Sequence, residues 1–436
     1  MKIHFIGIGG IGVSSLAQYY LAIGHDVSGS DLAESEITDF LTKKGAKVYI
    51  GQNAGNLSFD VEFVVHTPAV PKDNPEYLES KKRGIRIQSY PEALGDLTKE
   101  KFTIAVSGTH GKSTTTSMLA LILVKAKLDP TVILGTKLKE FRNNNFRIGR
   151  SKYLVIEADE HMASFLNYWP NVIVLTNIDR DHLDYYRNLR NILKTFKEYV
   201  NHLANTGTLV INADDGNIKK ILSENQKFKK AGYSLKQKEA VKIKKIMRIP
   251  GSHIVYDALA ALTTARVLKI ADSVSFKALS EFKGSWRRFE IIKAKLQGKK
   301  ITIVSDYAHN PAKAEAAINS CREKWQNKKI IIIYQPHQYQ RTYFLFNEFV
   351  KVFRRASSDK IIITDIYDVA GREEKNIKEN VNSQKLVKTV NKKSVIYLPK
   401  EKIMDYLKKE IKGGEIVVIM GAGDIYNMIK LFDLKD

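Results

Sequence analysis

The chain has 436 residues, 44% hydrophobic and 27% charged, which excludes a disordered, collagenous or coiled-coil protein. Its 70 Lys and Arg against 47 Asp and Glu leave a net charge of +23, a balance that favours anionic ligands and says nothing of fold. The single cysteine, Cys321, excludes an internal disulfide and a cysteine zinc cluster, and no stretch approaches the roughly 18 apolar residues of a membrane span.

Residues 2–8 read as a buried strand, followed by a glycine turn and a helix over 13–23. The lysine and apolar run at the start imitate a signal peptide. Gly7, Gly9, Gly10 and Gly12 break the run, so a cytoplasmic protein is expected. Strands fit 26–29, 47–49 and 63–66, and charge clusters over 97–101 before a new strand at 102–106. A second glycine-containing loop, 107–113, leads into a helix at 114–126. Further strands fit 153–157 and 172–176, with helices at 189–202 and 257–268. After 283–285, strands at 301–305, 330–334, 360–364, 394–397 and 416–420 alternate with helices. Alternating strand and helix predicts parallel sheets, and the breaks divide the chain into three α/β segments. Cys321 falls in a helical stretch and reads as inert packing. The densest basic stretch, 219–248, lacks interleaved aromatics and reads as a solvated face, so no nucleic-acid partner is expected.

Gly7, Gly9, Gly10 and Gly12 form G-x-G-G-x-G between strand and helix, where bare backbone amides approach a diphosphate at the helix's positive end. Asp31 follows about 20 residues on, where a dinucleotide fold places its ribose-binding acid. On its own this motif suggests a nicotinamide-dependent dehydrogenase. The second loop changes that reading. Gly111, Lys112 and Ser113 match the end of a P-loop, offering backbone donors, a lysine for the β/γ-phosphates and a hydroxyl for magnesium, although Val106 replaces the usual first glycine. Glu157-Ala158-Asp159-Glu160 and Asp181-His182-Leu183-Asp184 each follow a strand, where carboxylate and imidazole ligands complete a magnesium site. Asp159, Glu160 and Asp184 taken singly read equally well as helix caps and solvated acids. In the last segment Asp306-Tyr307-Ala308-His309-Asn310-Pro311 and Gln335-Pro336-His337, with Arg341 behind, end successive strands and suit a carboxylate or phosphoryl substrate.

In this order the blocks resemble the Mur ligases, the ATP-dependent amide ligases of peptidoglycan precursor synthesis, over essentially the whole chain. The resemblance rests on G-x-G-G-x-G at 7–12, S-G-T-H-G-K-S at 107–113, E-A-D-E at 157–160 and T-N-I-D-R-D-H-L-D-Y-Y at 176–186. It continues in R-R-F-E at 287–290, D-Y-A-H-N-P at 306–311 and G-A-G-D-I at 421–425. The blocks look most like the member that adds L-alanine to the lactyl carboxylate of UDP-N-acetylmuramate. A member that recycles a whole tripeptide is the alternative.

The resemblance implies an α/β fold of three domains: a Rossmann-like UDP-sugar-binding domain over 1–98, a central P-loop ATPase-like domain over 99–284 and a C-terminal Rossmann-like α/β amino-acid domain over 285–436. It implies ATP and Mg2+, with UDP-N-acetylmuramate and L-alanine as small-molecule substrates. No nucleic acid and no membrane insertion are expected, and a monomer or weak homodimer. Carried over by motif, Gly9, Gly10, Ile11, Gly12, Ser30, Asp31, His66 and Thr67 face the UDP-sugar. Gly108, Thr109, His110, Gly111, Lys112, Ser113, Thr114, Asp257, Arg288 and Asp306 face ATP. Ser113, Glu157 and His182 hold the metal, and Tyr307, His337 and Arg341 surround the amino acid. Lys112, Glu157, His182, Arg288, His309 and Arg341 are the implied catalytic set. The chain departs from the family where His253 is followed by Ile254 and Asp257 instead of H-N-x-x-N, and where Gln338 replaces the arginine of Q-P-H-R-Y. Lys197, where some members carry a carbamoylated lysine, reads as a solvated helix lysine.

Overall fold

The structure, a computed structural model, describes residues 1–224, 226–368 and 376–434; the side chain of Asp184 lies outside the described set. Its strands form three sheets. The first has five parallel strands in the order Lys47–Ile50, Asp26–Asp31, Lys2–Ile6, Phe63–His66 and Arg86–Ser89. The second has seven, in the order Lys229–Tyr233, Thr208–Asn212, Val172–Leu175, Phe102–Ser107, Tyr153–Glu157, Thr131–Leu138 and Asn144–Arg147. Only its edge pair, Thr131–Leu138 with Asn144–Arg147, is antiparallel, and its register shifts between Ile133 and Leu138. The third, also of seven, runs Val395–Tyr397, Lys360–Ile363, Ile330–Tyr334, Ile416–Met420, Lys299–Asp306, Glu290–Leu296 and Asp433–Leu434, with the last two strands antiparallel. The central strands of the third sheet are unbroken apolar runs because helical crossovers bury both faces of a parallel sheet. Ile330–Tyr334 and Ile416–Met420 are buried throughout.

The chain forms two compact units: Met1–Ile246 with Tyr256–Phe282, and Met247–Val255 with Lys283–Asp436. In the first unit one apolar core runs from Ile3, Phe5 and Leu16 of the first sheet to Phe165, Phe196 and Tyr199 beside the second. Gly95 permits that closure, since a Cβ there would lie 2.3 Å from the Asn167 carbonyl oxygen. In the second unit Ile303, Ile333, Ile362 and Val417 of the sheet pack with Ile403, Leu407 and Ile425.

Several element ends differ from the expected ones. The first strand stops at Ile6, because Gly7 turns the chain at φ +81°. The helix of the second loop begins at Lys112, behind the left-handed cap Gly111. The helix expected from 257 begins at Ser252. Cys321 is fully buried on Pro311–Lys324, with its thiol pushed up by burial, as inert packing requires. Among the described residues no helix is long and apolar enough to cross a membrane.

Candidate active site

In the first sheet the glycine loop closes the gap between Lys2–Ile6 and helix Ile11–Ala22. The Gly7 and Ile8 amides donate to the Ser30 carbonyl at 2.8 and 2.9 Å, and the Gly9 amide donates to Asp31 Oδ2 at 2.8 Å. A Cβ at Gly7 would lie 2.5 Å from Thr67, so Thr67, Ser30 and Asp31 are gathered round the loop. Asp31 is engaged with the loop's own backbone, and its Oδ1 accepts from the Leu32 amide at 2.8 Å. Beneath it Ser30 donates to the fully buried Glu76, which His4 Nε2 also approaches at 3.5 Å. No pattern in the sequence marks Glu76 except the Asn74 cap and Pro75 ahead of it.

The second loop connects Phe102–Ser107 to helix Lys112–Lys125. Gly108 and Gly111 take φ +132° and +81°, and Cβ atoms there would lie 2.1 Å from Thr176 and from Asp257 respectively. Thr176 and Asn177, at the end of the neighbouring strand, bond the His110 carbonyl at 2.6 and 2.9 Å, which fixes the loop's curvature. Lys112 Nζ donates to the Gly108 carbonyl at 2.8 Å and to Glu160 Oε2 at 2.5 Å, and lies 3.5 Å from Asp159. Ser113 Oγ donates to Glu157 Oε1 at 2.8 Å, and the Gly135 amide donates to Glu157 Oε2 at 3.0 Å.

Glu160 is only 2% exposed, so it is not the solvated acid its sequence position allowed. Burial pushes its carboxyl up to about 7 against the pull of Lys112. For Lys112 burial acts downward, but Glu160, Asp159 and Glu157 together raise the ammonium above its ordinary value. His182, capping Leu183–Tyr186 at φ +50°, faces Glu160 Oε1 at 3.9 Å and is lowered to about 4, chiefly by burial. That Glu160 oxygen is buried and has no hydrogen-bond partner among the described residues. Ligand atoms of Asp159, Glu160 and His182 lie within 4.8 Å of one another, and Ser113 meets Glu157 at the helix start. Two carboxylates and an imidazole gathered at an unsatisfied buried oxygen fit a hard divalent cation. Of the expected Ser113, Glu157 and His182, this group contains His182, joined by Asp159 and Glu160, while Ser113 and Glu157 pair with each other. Lys197 is exposed on Leu189–Val200, in line with a solvated lysine.

In the second unit the expected residues meet at the carboxyl ends of Lys299–Asp306 and Ile330–Tyr334. Asp306 accepts from the Phe289 and Ala308 amides, each at 2.8 Å, and the Arg288 guanidinium lies 4.9 Å over the Tyr307 ring. Burial raises the Asp306 carboxyl, with Arg288 opposing. His309 Nδ1 bonds the Tyr307 carbonyl at 3.0 Å, its ring lies 6.2 Å from that of His337, and Arg341 reaches His337 Nδ1 at 3.2 Å. Two further groups join them: Tyr367, which had no sequence signal, and Arg287, the first residue of R-R-F-E. Tyr367 stacks on His337 at 5.5 Å, and the buried Arg287 donates to the carbonyls of Gly421 and Gly423 at 2.6 and 3.1 Å.

Residues 2–102 match the model of the Mur ligase family, catalytic domain; 106–265 match the Mur ligase middle domain; and 287–423 match the Mur ligase, glutamate ligase domain. The chain is 38% identical to the UDP-N-acetylmuramate–L-alanine ligase of Clostridium novyi over 99% of this chain and 97% of that protein. It is 39% identical to the enzyme of the same name from Aquifex aeolicus, covering 97% and 95%. Among solved structures, a UDP-N-acetylmuramate–alanine ligase from Thermotoga maritima matches with a TM-score of 0.80 at 27% identity, covering 99% of this chain and 98% of that one. A murein peptide ligase from Psychrobacter arcticus shares the fold, with a TM-score of 0.73 at 22% identity.

Proposed function

The chain belongs to the Mur ligase family, and from that membership we propose that it joins L-alanine to the lactyl carboxylate of UDP-N-acetylmuramate at the expense of ATP, in peptidoglycan precursor synthesis. The observation that carries the chemistry is the second loop, where Lys112 and Ser113 sit at the start of a helix against Glu160 and Glu157. Near 38% identity over almost the full length to ligases of that name supports the choice of acceptor and amino acid.

Carboxylate is a poor electrophile and phosphate a good leaving group, so the lactyl oxygen first attacks the γ-phosphorus and ADP leaves. The alanine amine then attacks the acyl phosphate, and phosphate leaves from a tetrahedral intermediate. Such a reaction depends on positioning and charge neutralisation. Residues 1–98 bind the UDP-sugar, with the glycine loop and the start of helix Ile11–Ala22 against the diphosphate; 99–284 bind ATP; 285–436 bind the amino acid. Lys112, on its flexible stem, exchanges from Glu160 to the β/γ-phosphates. Ser113, Glu157 and His182 would hold Mg2+, with Glu160 beside them; when bound, that ion neutralises phosphate charge. Arg288 supplies a further cation to phosphate, and His309 orients Tyr307 through its carbonyl. Tyr307, His337 and Arg341 take the amino acid, with the Arg341 guanidinium suited to its carboxylate.

The test is magnesium-dependent phosphate release from ATP. Release that needs both UDP-N-acetylmuramate and L-alanine supports the assignment; release independent of the sugar nucleotide contradicts it.

A further inference from the structure

The proposed reaction needs an oxygen of one substrate in line with a phosphorus of another, yet the two lie on different sheets of the first unit. One element is bonded both to the helix that follows the glycine loop and to Glu157, the partner of Ser113. The hairpin Thr131–Leu138 and Asn144–Arg147 forms the edge of the second sheet. At its far strand Asn145, 4% exposed, donates through Nδ2 to the Ile11 carbonyl and to Ser14 Oγ at 3.2 Å, inside the first turn of the glycine-loop helix. Its Oδ1 accepts from the buried Gln18 at 3.0 Å, and Gln18 Oε1 accepts from Asn144 at 2.7 Å. At the near strand the Gly135 amide bonds Glu157, and a Cβ there would lie 2.6 Å from Glu157 Oε2. Lys137 adds a third tie, to Glu36 at 3.2 Å.

We propose that this hairpin is the spacer that sets the distance between the diphosphate loop and the phosphate loop, with Asn145 and Gly135 as its positioning residues. Buried amides whose donors and acceptors bond one another hold one geometry, since any slip leaves polar groups unpaired in a dry interior. A surface contact between domains would not require three interlocked side-chain amides. A missing side chain at Gly135 lets the strand approach Glu157 closely enough for its amide to orient the carboxylate. Neither residue touches a reacting atom, and the inference rests on the substrates proposed above.

The test compares Asn145→Ala with the unmodified full-length protein. Calorimetry gives the affinity for UDP-N-acetylmuramate and, separately, for a non-hydrolysable ATP analogue with magnesium; phosphate release gives kcat. A misplacement of about 1 Å lowers a reaction about 100-fold. That drop in kcat is expected with both affinities within about twofold, because each loop still binds its own ligand. Asn144→Ala, which removes the amide that holds Gln18 Oε1 and leaves Glu157 untouched, must give the same kcat-selective loss, and it serves alone where Asn145→Ala does not fold. An unchanged kcat, or a loss of kcat matched by a loss of sugar-nucleotide affinity, overturns the spacer. No alanine addition by the unmodified protein overturns the assigned reaction instead, and the spacer with it.

Discussion

Lys112 Nζ lies 2.5 Å from Glu160 Oε2, and both groups are withdrawn from solvent at the start of a helix. A cation held on a buried carboxylate is already desolvated and aimed when a phosphate arrives. Lys112→Ala is therefore expected to lower turnover by at least about 100-fold, the loss typical of one preorganised charge-stabilising donor. The fold should persist, because Glu160, at about 7, takes up a proton when its partner is removed. Phosphate release and thermal unfolding check the two halves; ligation at the normal rate contradicts the P-loop role.

His182 faces the unsatisfied oxygen of Glu160 at 3.9 Å. His182→Ala should raise the magnesium concentration needed for half-maximal activity by roughly 10-fold or more, the scale of losses at metal sites. A magnesium titration superimposed on that of the unmodified protein removes His182 from the cation's surroundings.

Gly24 and Gly111 both hold left-handed backbone, at φ +88° and +81°. Among the described residues nothing lies within 4 Å of a Cβ at Gly24, whereas at Gly111 it would meet Asp257 Oδ1 at 2.1 Å. Gly24→Ala should cost about 1 kcal/mol, the backbone term alone. Gly111→Ala adds a collision with a buried carboxylate and should cost at least about 2 kcal/mol more, together with ATP affinity. Urea unfolding of the pair separates strain from collision; equal losses contradict the close packing of Asp257 on the loop.

Burial pushes the His253 imidazole from 6.5 down to about 4, with Glu323 acting weakly the other way. The unfolded chain then binds the extra proton in this interval. The stability tied to His253 is complete above pH 6.5 and is lost as pH falls toward about 4. His253→Asn should flatten that acid limb of the urea midpoint, and proton NMR should find the ring neutral at pH 5.5. A ring that titrates near 6.5 contradicts this.

Strands Phe63–His66, Tyr153–Glu157, Ile330–Tyr334 and Ile416–Met420 were legible to the residue, because a strand buried on both faces must be a continuous apolar run. Thr131–Leu138 with Asn144–Arg147 was not: its polar positions Lys137, Asn144 and Asn145 are satisfied by groups more than 100 residues away, which no local pattern records. Edge strand Lys229–Tyr233 was hidden in a basic stretch, since exposed lysines are what an unpaired sheet edge tolerates. The phosphate loops were legible because their chemistry is local, in glycines and adjacent donors. Glu160 is open in the sequence between ligand and solvated acid, because Lys112, 48 residues distant, and the Tyr186 hydroxyl on its carbonyl enclose it only in the fold.

The most direct measurement of the central claim is mass detection of the product formed from UDP-N-acetylmuramate, ATP and magnesium, with L-alanine, other single amino acids or the tripeptide offered separately. The account predicts a product heavier by one alanyl residue, formed with release of phosphate. A product formed from the tripeptide alone, or no product with any amino acid, contradicts it.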